Sequence, residues 1–179
     1  MENDDTPPPD LAAALPALLD PEALDQLRHL GLRLDRSGRF WHRGERVTHP
    51  RLHQALLRWL DVVDGKSVIR LDARRYAYVD VEDAHLRARS ARWDGDRCWI
   101  TWDDEREEEL PYGELRQAAD HALYVPAGAP RALLGRIASP AYQRIAEHIC
   151  EDDHAPLGFV LVARGERWPI GAHPGPGAG

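Results

Sequence analysis

The sequence predicts an α+β fold of two similar helix-plus-antiparallel-strand units packed together, preceded by an N-terminal helix. Three observations predict it. Residues 49–80 and 139–170 align without a gap: His49-Pro50 falls on Ser139-Pro140, Leu52/Ala55/Trp59 on Tyr142/Ile145/Ile149, and Ile69/Leu71/Ala73/Arg74 on Phe159/Leu161/Ala163/Arg164. Each stretch opens with apolar residues at helical spacing and closes with two runs that read as strands. Between them Leu86 to Trp93 and Arg97 to Trp102 flank Asp94-Gly95, a hairpin signal because Asp-Gly tolerates the positive φ of a tight turn.

In order along the chain, residues 1–19 read as a flexible acidic, proline-rich segment. Asp20-Pro21-Glu22 supplies a cap and a first-turn proline for a helix carrying Leu24, Leu27 and Leu30, which Gly31 ends. Leu32 and Leu34 alternate into the turn Asp35-Arg36-Ser37-Gly38, and Phe40 to His42 runs to a second turn at Arg43-Gly44-Glu45. The first repeated helix presents Leu52, Ala55, Leu56, Trp59, Leu60 and Val63 on one face up to Asp64-Gly65, and strands Val68 to Leu71 and Tyr76 to Val81 follow. The second unit begins with a strand at Ala122 to Val125. Ser139 caps its helix, whose stripe is Tyr142, Ile145, Ala146, Ile149 and Cys150, and Leu157 to Ala163 and Arg167 to Ile170 are its strands. The units define lobes at residues 20–92 and 93–173, with a flexible tail at 174–179.

With 179 residues the chain can bury roughly 70% of its unfolded surface. It has no apolar run near the ~20 residues of a membrane span and no basic leader, so a membrane is not expected and the cytoplasm is. Cys98 and Cys150 have no CxxC spacing and read as buried, inert thiols. The net charge of −7 argues against nucleic acid. Charge is uneven, however: Arg28, Arg33, Arg36, Arg39, Arg43, Arg46, Arg51 and Arg58 crowd the first third, and Asp103 to Glu109 is acidic. Lys66 is the only lysine, so the arginine abundance also fits coding bias.

Several short motifs occur together: Gly38-Arg39-Phe40-Trp41-His42-Arg43-Gly44 with Pro50-Arg51-Leu52, Val81-Glu82-Asp83-Ala84, Asp120-His121-Ala122-Leu123, Arg136-Ile137-Ala138-Ser139-Pro140-Ala141-Tyr142, Leu157-Gly158 and Trp168-Pro169-Ile170-Gly171. In this order, from about Gly31 to Gly171, the chain resembles the bacterial domain-of-unknown-function family numbered 1285. The resemblance implies an α+β fold with repeated units, no established activity, and a signalling role only indirectly. The chain departs from that pattern at His85, where the family tends to have proline, and at Val162-Ala163-Arg164, which replaces a Ser/Gly-rich turn. The segment before its second helix is also short.

The best polar constellation is Asp80, Glu82, Asp83 and His85, since paired carboxylates share protons and histidine moves them near neutral pH. Glu82, Asp83 and His85 are therefore the catalytic candidates of a hydrolase-like or metal-assisted enzyme. Adjacent strand residues face opposite ways, so Glu82 and Asp83 share a site only where the strand ends; solvated turn carboxylates are the bland reading. His49 and His53 have HxxxH spacing, but Pro50 moves His49 toward a cap position, and no metal site is assigned. The cluster Glu147, His148, Glu151, Asp152, Asp153 and His154 reads as exposed. Arg43-Gly44-Glu45-Arg46 and Arg164-Gly165-Glu166-Arg167 read as hairpin turns. No P-loop, dinucleotide fingerprint or nucleophile elbow occurs, and no cofactor is expected.

The leading expectation is a non-enzymatic regulatory module binding a small anionic ligand or a protein through Arg39, Trp41, Arg43 and Trp102. Trp99 and Trp102 lie on opposite faces of one strand, so one of them could line a groove. A homodimer formed through sheet edges is the remaining alternative.

Overall fold

The computed structural model describes residues 28–174. Strand β1 (Leu32–Leu34) pairs antiparallel with β2 (Phe40–His42), which turns into β3 (Glu45–Arg46). Helix α1 (Pro50–Trp59) leads into the meander β4 (Leu60–Val63), β5 (Lys66–Arg70) and β6 (Tyr76–Val81). β6 lies parallel to β1, which closes a six-stranded sheet in the order β3-β2-β1-β6-β5-β4.

The central sheet contains β7 (Leu86–Asp94), β8 (Arg97–Trp102), β9 (Glu107–Glu109), β10 (Arg116–Gln117), β11 (Leu123–Ala127), β12 (Leu133–Ile137) and β16 (Gly171–Ala172), in the order β16-β10-β11-β12-β7-β8-β9. Helix α2 (Ser139–Ala146) packs on β7 and leads into a third sheet of β13 (Ile149–Glu151), β14 (Phe159–Ala163) and β15 (Glu166–Pro169). The mixed α+β class is the one the sequence predicts, with strands outnumbering helices. The expected helix up to Leu30 falls largely outside the described residues, as do residues 1–19 and 175–179. The lobe boundary drawn at 92/93 falls inside β7, a strand of the shared central sheet.

Each helix leads into a three-stranded antiparallel meander, but the gapless alignment of the two stretches does not hold inside them. Residues 64–65 join the first two strands in one meander and residues 152–158 in the other, while 71–75 and 164–165 join the last two. The short loop comes first in one meander and last in the other, so the two spans are similar in length although their strands do not align. Leu71, aligned with fully buried Leu161, is 54% exposed beyond the end of β5.

Both helices also stop earlier than their apolar spacing suggests. α1 ends at Trp59 and Leu60–Val63 is a strand, because Val62 and Val63 suit the pleat and Asp64-Gly65 (φ 51° and 75°) is a two-residue hairpin turn. The same happens after α2, where Ile149 and Cys150 belong to β13 and Cys150 is exposed, not a core thiol. Cys98 is buried, and burial pushes its thiol up to about 12. The inward face of α1 is carried by Leu56 and Leu57, while Leu52 and Trp59 are exposed. Burying a leucine such as Leu57 stabilises by roughly 1.5–3 kcal/mol, so these two set the helix orientation.

His49 does cap α1, its Nδ1 accepting from the Leu52 N–H at 3.3 Å. Ser139 does not cap α2: it is the first helical residue, after Ala138. Arg43-Gly44 and Arg164-Gly165 are both tight hairpin turns, with φ of 51° and 86° and of 54° and 71°. The β7–β8 turn is Gly95-Asp96 rather than Asp94-Gly95, since Asp94 pairs with Arg97. One contiguous core joins Leu34, Phe40 and Leu57 to Ile100, Trp102, Leu123, Ile145 and Leu161.

Candidate functional site

The strand β6 ends at Val81, which frees Glu82 and Asp83 from strict alternation, and both line one cleft. The cleft, about 370 Å³, lies between the β1–β2 turn (Arg36), the β6–β7 connector, the β10–β11 loop (Ala118 to Asp120), Tyr124, and Leu134 and Arg136 of β12, with His173 after β16. Ala118, Ala119 and Leu134 supply its apolar wall. A volume of this order suits a small organic ligand.

Asp83 is the hub. Its Oδ1 accepts from the Tyr124 hydroxyl at 2.7 Å and its Oδ2 from Arg136 Nη1 at 2.9 Å; Arg136 Nη1 also donates to the Tyr124 oxygen at 3.1 Å. Burial by itself raises the Asp83 carboxyl, but the Tyr124 and Arg136 hydrogen bonds outweigh it and hold the group below its ordinary value. Burial, then the neighbouring carboxylate, push the Tyr124 phenol up to about 12. Asp120 lies 3.6 Å from Arg136, and Glu82 pairs with Arg33 while accepting from the Arg36 backbone N–H at 3.2 Å. Every carboxylate of the cleft is thus partnered. The Arg36 guanidinium has no ion pair among the described residues. The His173 ring stacks obliquely on Tyr124 at 4.3 Å, and its Nδ1 is buried without a partner.

The turn that carries Arg36 is fastened to the central sheet by Arg87 of β7. Its Nη2 donates to the carbonyls of Asp35 (2.8 Å) and Arg36 (2.7 Å), its Nε to Arg36 (3.0 Å) and its Nη1 to Ala84 (3.3 Å). Gly38 (φ 80°) passes the same guanidinium so closely that a Cβ there would sit 3.1 Å from Arg87 Nη1. Asp35 holds the turn from within, accepting from the backbone N–H of Ser37 and Arg39 and from the Trp41 indole.

His85 does not join Glu82 and Asp83. Its Nδ1 accepts from the Leu134 N–H at 3.0 Å, so the proton sits on Nε2, 2.8 Å from Ser67 Oγ; both nitrogens are committed to joining β5 and β12. Burial first, and Arg87 second, bring the imidazole down to about 4 from 6.5. The unfolded chain takes this proton below about 6.5 and the folded one only near 4. His85 therefore contributes stability that is complete above pH 6.5 and falls by up to about 3 kcal/mol as pH drops to 4. Urea unfolding from pH 7 to 4 should show that loss in the wild type and a flatter profile in His85→Asn; equal slopes would contradict this assignment.

The other expected site residues are separated. Trp102 is wholly buried, its indole N–H donating to Glu108 at 2.5 Å, so it lines no groove; it belongs to the core because β8 turns that face inward. Trp41 is half-buried, and Arg39 and Arg43 are exposed outside the cleft. His53 faces inward, 2.8 Å from the Gly38 carbonyl. No group of His, Cys, Asp or Glu among the described residues could hold a metal, and none of their helices is long and apolar enough to cross a membrane.

Arg36, Asp120, Tyr124, Leu134, Arg136 and His173 carried no functional signal in the sequence. Tyr124 and Arg136 reach Asp83 across 41 and 53 residues, and only the sheet order brings them together. The fold is similar to that of solved structures. One is a crystal structure of a DUF1285 family protein from Silicibacter pomeroyi DSS-3, with a TM-score of 0.65 and 17% identity over 80% of this chain and 81% of that one. The chain shares the DUF1285 fold. A second DUF1285 family protein, from Shewanella baltica OS155, matches with a TM-score of 0.55 and 14% identity over 67% of this chain and 93% of that one. No family model and no curated protein matches the sequence. The resemblance to DUF1285 read from the motifs agrees with both structures.

Proposed function

We propose that this protein is a non-catalytic binding module that holds a small anionic ligand with an apolar body in the cleft, in a regulatory or signalling role. One observation carries the reading: Glu82, Asp83 and Asp120 are each paired with an arginine, whereas the Arg36 guanidinium has no ion pair among the described residues, so the unpaired charge of the cleft is cationic. An anion there gains a charge-assisted hydrogen bond without displacing an internal one. Ala118, Ala119 and Leu134 offer the apolar contact that favours a carboxylate with a hydrocarbon body over a bare inorganic anion. A catalytic role for Glu82, Asp83 and His85 has less support, because Glu82 is tied to Arg33 and His85 has no free nitrogen.

Thermal shifts with hexanoate, benzoate, inorganic phosphate and hexylammonium test it. Hexanoate or benzoate should raise the melting temperature of the wild type and leave Arg36→Glu unmoved. An equal shift with hexylammonium, or an undiminished one in Arg36→Glu, would refute the anion assignment.

A further inference from the structure

Many of this protein's arginines pair with carboxylates, and the longest consecutive run without such a pair among the described residues lies between Arg33 and Arg58. Arg33 pairs with Glu82 and Arg58 with Glu105, but the five successive arginines between them, Arg36, Arg39, Arg43, Arg46 and Arg51, have no ion pair among the described residues. Arg36 belongs to the cleft. The register of the first sheet shows where others lie. Asp80 stands opposite Arg33, Arg33 opposite Trp41 and Trp41 opposite Arg46, so one cross-strand row on one face reads Asp80, Arg33, Trp41, Arg46, with its cationic part toward the β3 edge. Arg39, two residues before Trp41, falls on the same side by strand alternation. The Arg43 side chain passes beside Gly31, at the start of β1. Phe40, on the opposite face, is fully buried, so the arginine row is the outer face of the sheet.

The geometry points to this outer face as the docking surface for an acidic, extended protein segment. Three features favour that partner. Arg39, Arg43 and Arg46 are exposed cations with no ion pair among the described residues, and the carboxylate of the row, Asp80, lies at its far end beyond Arg33. β3 is the edge strand of the six-stranded sheet, and an extended segment laid along it gains main-chain hydrogen bonds while placing alternate side chains over the arginines. Trp41 gives the row a fixed apolar centre, because its indole N–H is held by Asp35 at 2.8 Å. Nucleic acid fits less well. The Arg33 guanidinium sits over the Trp41 ring at 5.2 Å, so the indole is already engaged by a cation and is less available for stacking on a base.

The test is fluorescence anisotropy at low salt with a short labelled peptide of alternating glutamate and serine, and with oligothymidylate as the competing probe. The wild type should bind the peptide, and Arg39→Glu/Arg43→Glu/Arg46→Glu should weaken binding at least about tenfold. The charge-matched control Arg74→Glu/Arg89→Glu/Arg144→Glu should stay close to the wild type. If the reversed variant does not fold, Arg39→Gln/Arg43→Gln/Arg46→Gln should show the same direction of loss. No peptide binding by the wild type, equal losses in the two reversed variants, or tighter binding of oligothymidylate would each overturn the proposal. Because none of these substitutions touches Arg36, the result is independent of what the cleft binds.

Discussion

Gly135→Ala is expected to destabilise the protein by about 3 kcal/mol, lowering the melting temperature by roughly 10 °C. Gly135 lies in β12, directly over Trp102 of the same sheet. A Cβ there would stand 2.3 Å from Trp102 Cη2, 2.6 Å from Cζ3 and 2.9 Å from the Ala127 Cβ. The indole cannot withdraw, since it is wholly buried and its N–H is anchored on Glu108, which also accepts from the Gly128 N–H at 3.0 Å. A double-mutant cycle separates this clash from a general intolerance of β12. Trp102→Phe alone should be destabilising through the cavity it leaves, and should cost clearly less in the Gly135→Ala background, where the methyl fills part of that space. Additive losses would mean that the two residues do not meet.

Arg87→Met should cost about 3 kcal/mol and should also weaken the cleft. The methionine keeps much of the stem but removes all the Arg87 hydrogen bonds that tie the turn to the sheet, leaving the Arg36 carbonyl without its guanidinium donors and the Asp35 carbonyl with only the Gly38 N–H. Lysine is not an equivalent, because a single ammonium cannot reproduce contacts that Nε, Nη1 and Nη2 make to three carbonyls along two directions. As the turn so held carries Arg36, Arg87→Met and Arg87→Lys should both lower hexanoate affinity by about tenfold relative to the wild type. Chemical denaturation and calorimetric titration of the same samples read the two effects separately. Normal affinity in a destabilised Arg87→Met would show that the clamp supports the fold alone.

The local parts of this fold were legible because their causes are local. Asp35 to Gly38, Arg43-Gly44 and the β7–β8 hairpin follow from glycine and short polar side chains at tight turns, β1 and β8 from alternation, and β5 and β6 from short runs of β-branched and aromatic residues. What misled was spacing that serves two structures at once. Leu52, Leu56, Trp59, Leu60 and Val63 satisfy a helical stripe, yet the last two lie in β4, and Leu57, outside that stripe, is buried. Likewise the equal length of residues 49–80 and 139–170 hid a reversed order of short and long loops. β9, β10, β12, β13 and β16 are short or lack alternation, and they take strand form from their neighbours rather than from their own residues. The cleft was half legible. Glu82 and Asp83 stand out as adjacent carboxylates where a strand ends, but their partners Arg33, Tyr124 and Arg136 depend on β6 lying beside β1 and on β12 lying beside β7. No periodicity encodes that order. Trp102 was misplaced for a related reason: alternation puts Trp99 and Trp102 on opposite faces without saying which face the rest of the chain covers.

The cleft assignment is tested most directly by amide chemical-shift mapping during a hexanoate titration. The account predicts saturable shifts at Arg36, Asp83, Ala118 to Asp120, Tyr124 and Leu134, with α1 and the β13–β15 sheet unmoved, and loss of those shifts in Arg36→Glu. Shifts centred elsewhere, or no saturable shift at these residues, would contradict it.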